Sequence, residues 1–304
     1  MLSSGIFMGW SLGSNDSANI FGTAVASKTI KYKMAVILCA VFVVLGSLIG
    51  GENGLHTLSG LVKQTLETVF IASLSAAITV TVMTILKLPV STSQAMVGAI
   101  AGIGLSIGNI NFSGLTKILF VWIGTPFGAI IISCILYPIL GKILDSLPIN
   151  IFTRDNILKF GLILAGCYAS YSLGANNIAN VIGVYAQVGL LNIFQALLIG
   201  GCSIALGIIT FSKRVMMTVG KKLVKLDPYS AFIAVLSNAI ILDIYARTGV
   251  PTSSYQAIIG SVIGIGLIKS VRTINLKTLI SIFLGWIFTP FISLLISYSI
   301  YSLL

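Results

Sequence analysis

Two groups of polar residues lie inside long apolar stretches of this chain, and their side chains are of the kinds that bind ions. They share the pattern Ser-Leu-Gly-x-Asn-x-x-Ala-Asn and occupy Ser11–Asn19 and Ser172–Asn180. The first group contains Asn15, Asp16 and Asn19, and its two asparagines are four residues apart and so share a helix face. Carboxylate, amide and backbone carbonyl oxygens together suit a hard cation such as sodium. The pattern therefore predicts a cation site.

The second copy offers Asn176, Asn177 and Asn180, and it contains no carboxylate. Intramembrane asparagines also join helices through hydrogen bonds, which is the better interpretation of one isolated pair. Two copies and one acid favour a cation site, because an unpaired carboxylate at membrane depth is either protonated or matched to a cation. Gly13 and Gly174, just before the asparagines, are predicted to loosen the helix and free carbonyl oxygens.

A second duplicated motif, rich in Ser and Thr, indicates an anion site. Pro89–Ala95 matches Pro251–Ala257 in the same order. Proline suits the first turn of a helix and keeps the preceding residue out of helical geometry, so both prolines are predicted to open helices within the membrane. Amides and hydroxyls at such a helix start bind oxyanions, although the same residues also serve as ordinary helix caps. Two copies favour the anion site, with the ligands Ser91, Thr92, Ser93, Thr252, Ser253 and Ser254.

The elements that must position these residues are membrane helices. The chain is 57% hydrophobic and 8% charged, whereas soluble domains carry about 25% charged residues. About ten apolar stretches are long enough to span a bilayer, and they are centred near residues 15, 43, 76, 98, 130, 165, 200, 236, 260 and 289. Basic residues separate these stretches and form no stripe, which argues against nucleic acid as a partner. We predict an all-α polytopic membrane protein surrounded by lipid.

The duplicated motifs divide the chain into two related halves, residues 1–147 and 148–304. A third pair supports this division, because Trp122–Pro126 matches Trp286–Pro290. Five segments in each half make the second half enter from the opposite side, as an inverted repeat. With the N-terminus outside, fifteen Lys and Arg residues fall in cytoplasmic loops and three fall outside, which is the bias of the positive-inside rule. A site shared by two such halves, with broken or re-entrant helices around it, is typical of a secondary transporter.

These paired motifs resemble the inorganic phosphate transporter (PiT) family, which includes sulfate permeases, along nearly the whole chain. The resemblance implies two inverted halves, a possible homodimer, and an anion held by the six Ser and Thr residues named above. It implies coupling-ion sites, for sodium or a proton, that are lined by Asn15, Asp16, Asn19, Asn176, Asn177, Asn180, Gln94 and Gln256. Within that set, the residues expected to bind sodium are Asp16, Asn19, Asn177 and Asn180.

Three features depart from the pattern of that family. Asn177 stands where Asp is common, and Gln94 and Gln256 stand where His is frequent. Tyr255 replaces a small hydroxyl residue, and we expect it to crowd the pocket. Loss of the second carboxylate removes an acceptor for the proton that phosphate carries at neutral pH, a proton that sulfate lacks. Asp16 can still accept that proton, so phosphate remains a substrate in this interpretation and sulfate becomes the alternative.

The expected function is import of inorganic phosphate across the plasma membrane by alternating access, coupled to sodium in preference to protons and without a cofactor. A sulfate permease of the same family is the alternative, and a passive anion channel is less favoured. An enzyme is not expected, because the motifs lack a His and a second acid beside Asp16. Asp243 has two interpretations, as a second ion or proton site or as the partner of Arg247 in an ion pair four residues on.

Overall fold

The protein is built from helices throughout the part that its structure covers. The computed structural model describes residues 1–55, 57–58, 60–86, 90–222, 226–269 and 276–304, with the backbone alone for 218–222, 276–279 and 281–282. No strand occurs in these ranges. The first half contains α1 (Ser3–Asp16), α2 (Ala18–Ala26), α3 (Tyr32–Gly50), a 3₁₀ turn (Glu52–Gly54), α4 (Leu66–Ile85), α5 (Thr92–Ile107) and α6 (Phe112–Ser146).

The second half is also built from helices in its described residues. It contains α7 (Ile151–Ile178), a π-helical segment (Ala179–Gly183), α8 (Val184–Gln187), α9 (Ile193–Lys222), α10 (Pro228–Arg247), α11 (Ser254–Lys269) and α12 (Leu276–Ser302). Each of the ten apolar stretches in the sequence coincides with one of these helices or with a helix pair. The prediction of an all-α fold is therefore confirmed.

Seven helical segments of the described chain are long and apolar enough to cross a membrane, so the protein is a multi-pass membrane protein. The helices after the Pro-Ser motifs, α5 and α11, have 16 residues each. At about 1.5 Å per residue they reach about 24 Å, less than the roughly 30 Å of a hydrocarbon core. Their first residues, Thr92 and Ser254, are each 1% exposed, so both helices begin inside the protein.

Serine residues, not prolines, set the starts of these two short helices. Ser91 is the N-cap of α5, and its Oγ accepts a hydrogen bond from the backbone N–H of Gln94 at 3.4 Å. Ser253 Oγ accepts from the N–H of Gln256 at 3.3 Å before α11. Pro251 lies three residues before α11 in non-helical backbone, so the prediction that it occupies the first turn is wrong. Pro89 lies outside the described residues.

Glycines allow the helices of the two halves to cross closely. A Cβ on Gly13 would overlap the carbonyl oxygen of Ile204, and a Cβ on Gly174 would overlap that of Val43. Both glycines lie inside continuous helix, and the helix is interrupted later, at Ser17 and at the π-helical segment. The prediction that these glycines loosen the helix is therefore wrong, because what they provide is room for a neighbouring backbone.

Helices of one half pack on helices of the other in matched pairs. α1 packs on α9 and α7 packs on α3, while α5 packs on α12 and α11 packs on α6. A Cβ on Gly98 of α5 would meet the backbone of Pro290, and a Cβ on Gly260 of α11 would meet the backbone of Pro126. These paired crossings bring the two Asn motifs and the two Pro-Ser motifs to the centre of the molecule.

Candidate functional site

Four chain segments meet at the centre of the protein, and they carry the residues that the sequence singled out. The segments are the break between α1 and α2, the end of α7 with its π-helical segment, and the starts of α5 and α11. Each predicted ligand is at most 9% exposed. This buried set consists of Asn15, Asp16, Asn19, Ser91, Thr92, Ser93, Gln94, Asn176, Asn177, Asn180, Thr252, Ser253, Ser254 and Gln256.

The carboxylate of Asp16 is surrounded by hydrogen-bond donors. Asn15 Nδ2 donates to Asp16 Oδ1 at 2.8 Å, and Thr92 Oγ1 donates to Asp16 Oδ2 at 2.9 Å. The hydroxyl of Ser254, from the other half, lies close enough to interact with this carboxylate. Thr84 Oγ1 donates to Asn15 Oδ1 at 3.2 Å and so holds the asparagine in place. The ion pairs of the described residues do not include Asp16.

The equivalent position in the second half is Asn177, and its amide oxygen is also a hydrogen-bond acceptor. Ser93 Oγ donates to Asn177 Oδ1 at 3.2 Å, and Asn180 Nδ2 donates to the same oxygen at 2.9 Å. Ser93 lies within 2.7 Å of the carbonyl oxygen of Thr252, to which its hydroxyl can also donate. Asn177 is therefore held by its oxygen, and its Nδ2 has no hydrogen-bond partner among the described residues.

Each half reaches across to the Pro-Ser segment of the other half. Asn19 Nδ2 donates to Ser254 Oγ at 2.9 Å, and Asn180 Nδ2 donates to Ser93 Oγ at 2.9 Å. Thr125 of α6 and Thr252 share a hydroxyl–hydroxyl hydrogen bond. The sequence suggested a cation set and an anion set, but in the structure members of both sets hydrogen-bond to each other; these bonded groups are called the central network below.

Two kinds of predicted ligand already serve the protein backbone. Ser91 and Ser253 are the helix caps described above. Asn176 Oδ1 accepts from the backbone N–H of Thr252 at 2.9 Å, and its Nδ2 donates to the carbonyl of Val250 at 3.3 Å. Asn176 therefore fixes the segment before α11, and both ends of its amide are used.

Five buried polar atoms on the four central segments have no hydrogen-bond partner in the described part of the chain. They are Ser17 Oγ, Gln94 Oε1, Gln256 Oε1, Asn177 Nδ2 and Asn180 Oδ1. An unsatisfied buried polar atom is costly, so such atoms commonly mark a place where ions or water bind. The three amide oxygens are acceptors suited to a cation, while the Ser17 hydroxyl and the Asn177 amide are donors suited to an anion.

Ser17 is a site residue that the sequence analysis missed. It occupies the break between α1 and α2 and is fully buried. The only feature of the sequence that could have identified Ser17 is its place directly after Asp16. The other copy of the motif has Ile178 there, so the comparison of the two copies gave Ser17 no weight.

Two further residues that the sequence singled out, Tyr255 and Asp243, have neighbours that account for their presence. Tyr255 packs against an apolar cluster that includes Ile233, Ile258 and Trp286. Asp243 Oδ2 accepts from Arg247 Nε at 2.9 Å and from Tyr168 Oη at 3.0 Å. Of the two interpretations of Asp243, the ion pair with Arg247 is the one present in the structure.

Comparison with known proteins places the chain in a family. The sequence profile described as the phosphate transporter family matches residues 12–297. The chain belongs to the phosphate transporter family. Its relatives in this family include a candidate phosphate permease of Methanocaldococcus jannaschii, which is 31% identical over 95% of this chain and 92% of the relative. They also include the sulfate permease CysP of Bacillus subtilis, 31% identical over 98% of this chain and 85% of the relative.

The phosphate transporter family fold is also recognised in a solved structure. A sodium-dependent phosphate transporter aligns with a TM-score of 0.90 and 23% identity, covering 99% of this chain and 97% of that chain. The family assignment and the all-helical fold agree with the resemblance inferred from the paired motifs. As a member of this family, the protein is a transporter and not an enzyme.

Proposed function

We propose that this protein imports inorganic phosphate across the plasma membrane together with a cation, with sodium favoured over protons. The observation that carries the proposal is the chemistry of the four central segments. They hold one buried carboxylate, three unpartnered amide oxygens and two unpartnered donors. Acceptors for a cation and donors for an oxyanion in one buried site suit coupled transport, because the cation lowers the cost of desolvating the anion.

The roles in this proposal follow from hydrogen-bonding capacity. Asp16 and the unpartnered oxygens of Asn180, Gln94 and Gln256 attract the cation. The Asn177 amide and the hydroxyls of Ser17, Ser91 and Ser253, together with the starts of α5 and α11, attract the anion. The hydroxyls of Thr92, Ser93 and Ser254, which lie beside them, turn toward the anion when it binds. Asn19 and Asn180 each hydrogen-bond one half to the other, so binding of the cation or of the anion affects contacts of both halves.

Alternating access is the proposed transport mechanism, with the two halves as inverted repeats and the N-terminus outside. The matched crossings of α1 on α9 and α7 on α3 support the repeat, because exchange of the halves leaves the pattern of contacts unchanged. The lysines and arginines of the loops support the orientation. In such transporters, one group of helices rocks against another around a site near the middle of the membrane.

The test is uptake of labelled phosphate into proteoliposomes with an inward sodium gradient, an inward proton gradient or no gradient. Accumulation above the external concentration under the sodium gradient alone is the expected result. Accumulation under the proton gradient alone would identify the proton, and not sodium, as the coupling ion. Flux that only follows the phosphate gradient would make the protein a passive channel, and absence of any flux would overturn the proposal.

A further inference from the structure

We infer that Asn177 makes this transporter accept sulfate as well as phosphate, and that a carboxylate at this position would make it select phosphate. The inference rests on the proposed function, and it widens the substrate class from phosphate to tetrahedral oxyanion dianions. It comes from a pair of equivalent positions in the two halves: Asp16 offers a hydrogen-bond acceptor to the centre of the protein, and Asn177 offers a donor.

The two anions differ in one proton. Hydrogen phosphate carries a P–OH group that must donate a hydrogen bond when buried, whereas every oxygen of sulfate only accepts. A site made of donors therefore binds both anions. An added acceptor rewards phosphate and repels sulfate, and unmatched buried hydrogen bonds are the strongest source of discrimination between isosteric ligands.

One end of the Asn177 amide has no partner in the structure. Its oxygen lies 3.2 Å from the Ser93 hydroxyl and accepts from Asn180 at 2.9 Å. The amide nitrogen is the end without a partner among the described residues. Asn177 is fully buried. It therefore offers a donor where an aspartate would offer a second carboxylate oxygen.

The equivalent residue of the first half has little acceptor capacity to spare. The Asp16 carboxylate accepts hydrogen bonds from Asn15 and Thr92. An ionised carboxylate has about four lone-pair positions, so about two remain, one for the cation and one for the proton of phosphate. This acceptor permits hydrogen phosphate to bind, but Asp16 is the sole carboxylate of the network, and the cation and its donors screen its charge. The wild-type site is therefore expected to discriminate weakly.

The test compares the wild type with Asn177→Asp in proteoliposomes at saturating cation, and it measures kcat/KM for labelled phosphate and for labelled sulfate. The wild type is expected to transport both, with values within about tenfold of each other. Asn177→Asp is expected to raise the ratio of phosphate to sulfate by at least about tenfold, as expected for one unmatched buried hydrogen bond. The ratio is used because an effect of the new charge on cation binding acts on both substrates.

Asn238→Asp is the matched control, because it makes the same substitution at another fully buried asparagine, whose side chain has no hydrogen-bond partner among the described residues. Its ratio is expected to change by less than about threefold. A ratio that stays unchanged in Asn177→Asp, or that shifts as much in Asn238→Asp, would overturn the role of Asn177. Should Asn177→Asp fail to fold, Asn177→Leu removes the donor without adding charge. It is then expected to weaken the binding of both anions by the same factor, and a loss confined to one anion would contradict the inference.

Failure of the inference and failure of the proposed function give different results. If the wild type accumulates phosphate but rejects sulfate by more than about 100-fold, which corresponds to about 3 kcal/mol, the proposed function stands and the inference falls. If the wild type transports neither anion, the proposed function itself falls and takes the inference with it.

Discussion

The two halves of this transporter differ most at one pair of equivalent positions, Asp16 and Asn177. Both residues lie at a helical interruption, are buried, and receive hydrogen bonds from a Pro-Ser segment. Asp16 offers a charged acceptor, while Asn177 turns a neutral donor toward the centre. The helix crossings between the halves come in matched pairs, whereas the two halves bring different hydrogen-bonding groups to the centre.

The interruptions themselves also differ between the halves. In the first half the chain breaks at Ser17, between α1 and α2, and in the second half α7 passes into a π-helical segment without ending. Ser17 adds a hydroxyl that Ile178 cannot provide. The first half thus has the carboxylate of Asp16 and the hydroxyl of Ser17, where the second half has Asn177 and Ile178. We therefore expect the first half to contribute more to coupling between cation and anion, and the second half to set the preference among anions.

The largest effect is expected for Asp16→Asn, which makes the two halves alike at this position. Concentrative uptake should fall by about 100-fold or more, because the cation loses its charged ligand and with it about 3 kcal/mol. The measurement is uptake driven by the sodium gradient, with thermal unfolding in detergent to show that the fold is kept. Normal accumulation by Asp16→Asn would remove the coupling role of this residue.

The next effect concerns the matched crossings of α1 on α9 and of α7 on α3, which are predicted to be equally destabilised by an added side-chain carbon. Gly13→Ala and Gly174→Ala each place a Cβ against a backbone carbonyl oxygen of the other half. Overpacking of this kind costs about 1–3 kcal/mol, so both variants should unfold at lower temperature by similar amounts.

Gly141→Ala is the control for these two crossings. Its Cβ would meet only the end of the Tyr229 side chain, at 3.2 Å. It should be neutral or slightly stabilising, because alanine favours helix over glycine by about 1 kcal/mol. A large loss for only one of the crossing glycines would show that the two crossings are not equivalent.

A smaller effect is expected for the serine caps of α5 and α11. Ser91→Ala and Ser253→Ala each remove a cap worth about 1 kcal/mol, and they should lower thermal stability equally. Because both hydroxyls lie at the proposed anion site, KM for phosphate should also rise in each variant. Unchanged KM in the double variant would limit these serines to capping, and the anion assignment would pass to Thr92, Ser93 and Ser254.

The smallest effect concerns the N-terminal caps of α4 and α10, the helices that precede α5 and α11. Thr65 and Thr68 form a capping box at the start of α4, while Asp227 caps α10 through Ser230. Burial opposes ionisation of Asp227, but hydrogen bonds from Lys269 and Ser230 outweigh it and hold the pKa of this carboxyl below its ordinary value. The charge thus stabilises the fold above about pH 4, the ordinary pKa of Asp, and this contribution is lost as the pH falls further.

Asp227→Ala should accordingly cost slightly more than Thr65→Ala, by less than about 1 kcal/mol, because a half-exposed ion pair adds little to a cap. Thermal unfolding of both variants at pH 7 measures the difference. Asp227→Asn keeps a capping oxygen and removes the charge, so it should fall between the wild type and Asp227→Ala. An equal loss in the Thr65 and Asp227 alanine variants would assign the whole effect to capping.

The sequence alone determined that this chain is a helical membrane protein, and it located the residues at the centre. Hydropathy and the repeated motifs are local properties of the chain, so they could be read without knowing which helices touch. The starts of α5 and α11 near their Pro-Ser motifs, the burial of Asp16 and the family assignment all followed from such patterns. The division into inverted halves remains a prediction of the same kind.

Only the tertiary structure decided which polar atoms are paired and which are free. Asn19 meets Ser254 across 235 residues of chain, and Asn180 meets Ser93 across 87. Such partners depend on the angle and closeness at which helices cross, and these are set by the packing of glycines such as Gly13 against a distant backbone. The same packing holds the oxygen of Asn177 and leaves its nitrogen free, because a side chain's free end is defined only once its neighbours are in place.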